Sequence, residues 1–301
     1  MATASRSPSA ARAPYIGRFA PSPTGPLHLG SLVAALGSFL DARAHGGRWL
    51  LRMEDLDRER VIAGCATQML RTLEAFGLHW DGPIEYQSAD TAAYASALQR
   101  LKALALTFEC SCSRRDLADA GGYPGTCRAG AGAAGPTATR FRVPEGTLSF
   151  EDRVQGSCAF DLAERGDVIV RRRDDAFAYQ LAVVVDDARQ GVTDVVRGAD
   201  LLDSTAWQIS LQRALGLPTP RYTHLPLITE PGGAKLAKSR RSVALEPERA
   251  GPQLWQGLTL LRQAPPAELK IKSAAQILSW GIEHWSLAPL RGLREAPLPP
   301  A

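Results

Sequence analysis

Arg18-Phe19-Ala20-Pro21-Ser22-Pro23-Thr24-Gly25-Pro26-Leu27-His28-Leu29-Gly30-Ser31 joins a short extended segment, Tyr15 to Ala20, to a helix. Three prolines and a glycine between positions 21 and 26 forbid regular structure there. Beyond them Leu29, Leu32, Val33, Leu36 and Leu40 recur at the spacing of one helical face, and Gly46-Gly47 closes the helix. Trp49-Leu50-Leu51 reads as a buried strand leading into Arg52-Met53-Glu54-Asp55-Leu56-Asp57. A second helix carries Ile62, Cys65, Met69, Leu73 and Phe76 and stops at Gly77. Strand, loop, helix, strand, helix is the alternation of an α/β fold with a parallel sheet and crossover helices. Ligands collect there at the carboxyl ends of strands and the helix N-termini beside them. The Pro/Gly loop lies at such a place, so His28 is expected to face phosphate, with Gly30 letting a nucleotide approach the backbone.

Past Leu106 the pattern breaks. A cysteine cluster, a Gly/Ala-rich run from 121 to 135 and extended pieces at Arg140 to Val143 and Val168 to Arg171 predict an inserted module. Sheet character resumes at Phe177 to Val185 and Val192 to Val196, both read as strands because they are apolar and rich in β-branched residues. Asp203 or Ser204 is expected to cap a helix running through Leu215 to Gly216. Leu225 to Thr229 reads as a further strand, followed by a loop holding Lys235-Leu236-Ala237-Lys238-Ser239. The expected organisation is a disordered tail (1–14), a first catalytic half (15–106), the inserted module (107–175), a second catalytic half (176–245), a helical part (246–290) and a frayed, proline-rich tail (291–301).

Apolar residues make up 45% of the 301 positions and charged ones 22%, which excludes a disordered chain and a single small module. No apolar run approaches the ~18–20 residues of a spanning helix, so no membrane role is expected. A net charge of +4 does not demand a polyanionic partner. The clusters Arg171-Arg172-Arg173 and Lys238-Ser239-Arg240-Arg241 permit one, although such clusters are commonly solvated faces. Residues 1–14 hold Arg6 and Arg12 and no acid, but lack the apolar core of a secretory signal. Five cysteines, an odd number, point to a reducing compartment, hence a cytoplasmic protein, and to a metal.

Two features carry chemistry. Lys235 and Lys238, three apart on a loop after a strand, can clamp a triphosphate and meet the negative charge that builds on a leaving pyrophosphate. Cys110, Cys112 and Cys127 fall within eighteen residues, which suits one structural zinc wanting four tetrahedral ligands. No histidine is near, so Tyr123, Asp116, Asp119 or water remains for the fourth position. Cys65 and Cys158 read as small core residues.

His28-Leu29-Gly30-Ser31 and Lys235-Leu236-Ala237-Lys238-Ser239 resemble the HIGH and KMSKS signatures of class I aminoacyl-tRNA synthetases, a Rossmann-type fold. The segments Arg18 to Gly25, Arg52 to Asp57 and Val196 to Leu202 are similar to those of glutamyl-tRNA synthetases, and the resemblance runs from about Tyr15 to Val243. Only about sixty residues follow Ser239, too few for the anticodon-binding domains of a full glutamyl-tRNA synthetase. That shortness, with the cysteine cluster, resembles the glutamyl-queuosine tRNA(Asp) synthetases. The resemblance implies activation of L-glutamate with ATP and Mg2+ without tRNA, then transfer to the queuosine base in the anticodon of tRNA(Asp). A monomer is expected.

By resemblance, Arg18, Phe19, Ala20, Pro21 and Ser22 contact glutamate, Glu54 receives its ammonium, and Tyr179 and Arg197 complete the pocket. A dicarboxylic amino acid needs a guanidinium and an acid in any case. His28, Leu29, Gly30, Lys235, Lys238 and Ser239 bind ATP by the same resemblance, with His28 and Lys238 catalytic, and Tyr123 joins Cys110, Cys112 and Cys127 on zinc. The chain departs from the signature at Leu236 and at Ala237, where loss of a hydroxyl weakens loop closure by on the order of 1 kcal/mol. Two other readings compete: a minimal glutamyl-tRNA synthetase charging tRNA(Glu), and a catalytically silent zinc-containing RNA-binding paralogue.

Overall fold

Ile16–Phe19 (β1) runs beside Arg48–Met53 (β2), parallel to it, with Phe19 opposite Leu51. The structure is a computed structural model and describes residues 14–113, 115–117, 122–131, 135–230 and 244–298. Leu29–Ala44 (α1) crosses between these strands, and Cys65–Ala75 (α2) leads on to the short parallel strand Glu85–Tyr86 (β3). Ala92–Ala103 (α3) completes the first half.

The middle of the chain holds Thr107–Cys110 (β4), Ala138–Phe141 (β5), Thr147–Asp152 (β6), Gly156–Asp161 (β7), Leu162–Arg165 (α4) and Val168–Arg171 (β8). Strands β4, β5 and β8 form a small antiparallel sheet. The β6–β7 hairpin instead joins the second half, because Asp152 pairs with Tyr222. That half contains Tyr179–Arg189 (α5), Asp194–Gly198 (β9), Leu202–Leu215 (α6), Arg221–Leu225 (β10) and Leu227–Thr229 (β11). Strands β9 and β10 are parallel, and Thr193 donates its N–H to the Ile16 carbonyl at 2.9 Å, which seats β9 against β1. The carboxyl ends of β1, β2 and β9 therefore open on one crevice, the position α/β sheets reserve for ligands.

Helices cover both faces. On one face α1 and α2 pack with Ala250–Leu260 (α7) and Ala274–His284 (α8) around Leu32, Leu36, Trp49, Leu254 and Leu258; on the other α3, α5 and α6 pack around Tyr94, Leu181, Val184 and Ile209. Gly257 lets α7 approach α1 closely, since a Cβ there would stand 2.9 Å from a Leu36 methyl.

Five expectations change. The run Phe177 to Val185 is not a strand: from Tyr179 it belongs to α5, where residues 181 to 187 are all buried. A helix enclosed on every side loses its polar stripe and reads like a buried strand. Ile62 lies ahead of α2 rather than on it and is half exposed, because Gly64 starts the helix from a left-handed turn at φ +78°. Neither Asp203 nor Ser204 caps α6, which begins at Leu202; Asp203 pairs with Arg165, and Ser204 accepts from Gln180. The expected frayed tail contains Glu295–Pro297 (β12), parallel to β11, with Ala296 buried. Pro226 also splits the expected strand 225–229 into the end of β10 and β11, having no N–H for a ladder. No described helix is long and apolar enough to cross a membrane.

Candidate active site and metal centre

His28 is the N-cap of α1, and its Nδ1 accepts from the N–H groups of Gly30 at 3.1 Å and Ser31 at 3.3 Å. Ser31 Oγ returns the bond by accepting the His28 N–H at 2.8 Å, a reciprocal capping box. The sequence put His28 and Gly30 at a nucleotide; the structure turns the Gly30 and Ser31 N–H groups to the imidazole instead. Gly30 has a local reason too, since a Cβ there would lie 3.0 Å from His28 Cε1. The histidine stands between two cavities. One of about 240 Å3 is bordered by His28, Gly30, Gly198, Asp200 and Leu227, and one of about 520 Å3 by Phe19, Ser22, Thr24, His28 and Ser31.

Beside this wall the strand ends bring together Arg18 of β1, Glu54 just past β2, Tyr179 at the start of α5 and Arg197 of β9. Arg18 is buried and donates through Nε and a terminal nitrogen to Asp187 at 3.1 and 3.3 Å. Arg52, wholly enclosed, bonds Asp187 at 2.8 Å and Glu54 at 3.3 Å, and also meets Gln190. Burial disfavours the charge on that guanidinium, but Asp187, Glu54 and Asp186 outweigh it and hold its pKa above the usual range. Burial pushes the Glu54 carboxyl up against the pull of Arg52 and Arg18, so an arriving ammonium would find a carboxylate in need of a cation. Tyr179, raised first by burial and then by Glu54, lies within reach of Arg197, Arg18 and Asp187 as well.

The neighbours of these residues have other work. Phe19 stacks on Trp49, ring centroids 6.2 Å apart, and borders the larger cavity. Ala20 and Pro21 are half-buried and Ser22 exposed on the loop, which the Glu54 N–H ties down through the Pro21 carbonyl at 2.9 Å. Asp55 accepts from Ser88, and Asp57 pairs with Arg60 and Arg172, so of the acids from 54 to 57 Glu54 is the one facing Arg52. In the basic cluster, Arg171 pairs with Asp175 and Arg172 with Asp174.

Arg197 has a set of contacts that sequence reasoning missed. Its Nε lies 3.0 Å from His224 Nε2 and one terminal nitrogen 2.7 Å from Thr205 Oγ1, while the other is buried without a partner among the described residues. Burial drives the His224 pKa down to about 4 even though Asp152 opposes it. The unfolded chain therefore binds a proton that the native chain refuses between pH 6.5 and 4. Stability is expected to be full above about pH 6.5 and to fall as pH drops through that window, by about 3 kcal/mol from this residue. Chemical denaturation at stepped pH checks this, and a flat profile above pH 4.5 would refute it.

Lys235, Leu236, Ala237, Lys238, Ser239, Arg240 and Arg241 lie outside the described residues. The chain leaves the described structure just past Thr229 of β11 and re-enters at Ala244, which forms an antiparallel bridge to His28, while the Leu245 N–H bonds the Leu27 carbonyl at 2.8 Å. The described chain thus resumes directly against the capping histidine.

The sulfurs of Cys110, Cys112 and Cys127 lie within 4.8 Å of one another, the last two 3.5 Å apart. Tetrahedral Zn–S bonds of about 2.3 Å place sulfurs roughly 3.8 Å apart, so the group can hold a metal ion. Tyr123 directs its hydroxyl to 3.5 Å from Cys110 Sγ, and that oxygen accepts the Cys127 N–H at 2.8 Å. Gly166 lets the chain close on it, since a Cβ there would overlap the Tyr123 backbone at 2.3 Å. Of the other candidates, exposed Asp116 is engaged by the Ser113 N–H at 2.7 Å, and Asp119 lies outside the described residues.

Among known proteins, the family described as tRNA synthetases class I (E and Q), catalytic domain, matches residues 16–121 and 124–250. The glutamyl-Q tRNA(Asp) synthetase of Ectopseudomonas mendocina is 55% identical over 94% of this chain and 98% of its own length. That of Pseudomonas aeruginosa PAO1 is 54% identical over 90% and 93%. The crystal structure of glutamate-tRNA synthetase from Elizabethkingia anophelis shares the fold, with a TM-score of 0.79 at 23% identity over 95% of this chain and 68% of that one.

Proposed function

Because the chain belongs to the class I tRNA synthetases of the glutamyl and glutaminyl type, and within them to the glutamyl-Q tRNA(Asp) synthetases, we propose that it activates L-glutamate with ATP and transfers it to the queuosine of tRNA(Asp), acting as a monomer. The observation that carries the reading is the meeting of Arg18, Glu54 and Arg197 at the carboxyl ends of three strands, with one Arg197 nitrogen buried and without a partner among the described residues. An acid for the ammonium and a guanidinium for a carboxylate are what a dicarboxylic amino acid requires.

In the first step the α-carboxylate oxygen attacks the α-phosphorus of Mg2+-ATP, pyrophosphate leaves, and glutamyl-adenylate forms. In the second a hydroxyl of the nucleic acid attacks the acyl carbon and AMP leaves. No enzyme nucleophile is needed, so positioning and charge stabilisation supply the rate, with Arg18, Glu54, Tyr179 and Arg197 holding glutamate and His28, Lys235 and Lys238 serving the phosphates. Glutamate-dependent ATP–pyrophosphate exchange without tRNA is expected, followed by labelling of queuosine-bearing tRNA(Asp) and not tRNA(Glu). Labelling of tRNA(Glu) would make this a minimal glutamyl-tRNA synthetase, and absence of exchange would leave an RNA binder.

The same proposal assigns zinc to Cys110, Cys112, Cys127 and Tyr123. Held there, the ion would supply cross-linking rather than chemistry on substrate, and its ligands would tie the end of β4 to the loop at 122–127. One equivalent of zinc per chain is expected by elemental analysis, falling below about a tenth in Cys127→Ser. A Cys127→Ser protein that keeps its zinc would refute the site, and a Tyr123→Phe protein with unweakened zinc affinity would refute the fourth ligand.

A further inference from the structure

His224 of β10 sits in register beside Arg197 of β9, and its imidazole is wholly buried. Nδ1 lies 2.7 Å from Asp152 Oδ2. The Asp152 carboxylate also accepts the N–H groups of His224, Val154 and Gln155, so four donors converge on one buried acid and keep it ionised. An ionised acceptor at Nδ1 fixes the proton on that nitrogen and leaves the Nε2 lone pair facing away from it. That lone pair meets the Nε–H of Arg197 at 3.0 Å. Thr205 Oγ1 takes a second guanidinium nitrogen at 2.7 Å and passes its own proton to the Leu201 carbonyl at 3.1 Å. The planar fork is thereby gripped along one side, and its remaining terminal nitrogen is buried with no partner among the described residues.

We propose that Asp152 and His224 form a positioning pair that orients Arg197, so that a single guanidinium nitrogen is presented to the carboxylate of the amino-acid substrate, and that this sets selection of glutamate over glutamine. The inference rests on the function proposed above. A guanidinium favours a carboxylate over an amide oxygen, but one free to rotate could still meet an amide through its oxygen and swing clear of the amide NH2 group, at an entropic cost to either ligand. Held in place, the one donor rewards a charged acceptor. Neither Asp152 nor His224 touches substrate; both act through Arg197.

The test compares wild type with His224→Gln and His224→Leu. Glutamine can still bring an oxygen to the Arg197 Nε–H, whereas leucine cannot. In pyrophosphate exchange, His224→Leu is expected to raise the glutamate KM about thirtyfold with the ATP KM unchanged within about twofold, and to narrow glutamate-over-glutamine selection by about tenfold. His224→Gln is expected to recover most of both effects. Equal changes in the two KM values, or no recovery by glutamine, would overturn the positioning role. Nitrogen-15 NMR of wild type decides the same point without substrate. An unprotonated His224 Nε2 and a slowly exchanging Arg197 Nε–H are expected, and a proton on Nε2 would overturn the proposal even if His224→Leu failed to fold. Should wild type show no glutamate-dependent exchange, the functional reading falls while the NMR result still settles the clamp.

Discussion

Replacing Arg52 by methionine is expected to destabilise the protein by about 3–5 kcal/mol and lower its melting temperature by roughly 10 °C. Methionine fills much of the same volume, so the effect isolates charge from packing. Three carboxylates face the lost guanidinium: Asp187 at 2.8 Å, Glu54 at 3.3 Å and Asp186 at 3.8 Å, with 6%, 9% and 1% of their side chains exposed. Arg18 still serves Asp187, and Tyr94 and Gln87 still bond Asp186. Glu54 has no comparable replacement, and its carboxyl, already pushed up by burial, would rise further. The variant should therefore bind protons that wild type does not, and its stability deficit should shrink as pH is lowered toward 5. Differential scanning calorimetry across that range checks both parts. A loss under about 1 kcal/mol would mean that water reaches these acids freely enough to replace the arginine.

Lys238→Ala is expected to slow glutamyl-adenylate formation by about two to three orders of magnitude while leaving the glutamate dissociation constant within about twofold. In the proposed reaction the charge it supplies is needed where negative charge builds on the departing pyrophosphate, while the residues assigned to glutamate lie elsewhere, on β1, just past β2, and on α5 and β9. Five residues separate Lys238 from Ala244, where the chain bridges to His28. Rapid quench of adenylate formation beside equilibrium dialysis of labelled glutamate separates the two quantities. Parallel losses in both would assign Lys238 to amino-acid binding instead.

Much of the first half of the fold could be read directly. The 3.6-residue stripe from Leu29 to Leu40, the glycines that end it and the Trp49 strand are local signals, and each appears where it was expected. His28 at a helix start was legible for the same reason, although its partners were not, because a capping box and an open phosphate site look alike in sequence. Phe177 to Val185 misled because burial on all sides erases the periodicity that tells a helix from a strand. One signal was available: two adjacent acids, Asp186 and Asp187, ending an apolar run announce buried charge that needs a partner.

By itself the sequence determined the α/β alternation, the two signature segments and a cysteine spacing fit for a metal, all carried by residues within a few turns of one another. Only tertiary structure decided which charges meet. Arg18 finds Asp187 across 169 positions, Arg52 finds it across 135, and His224 reaches Asp152 across 72. No periodicity encodes such pairings. They exist because the fold sets β1 and β2 against α5 and lays β10 parallel to β6, and because a charge buried there persists only if the fold delivers its counter-charge.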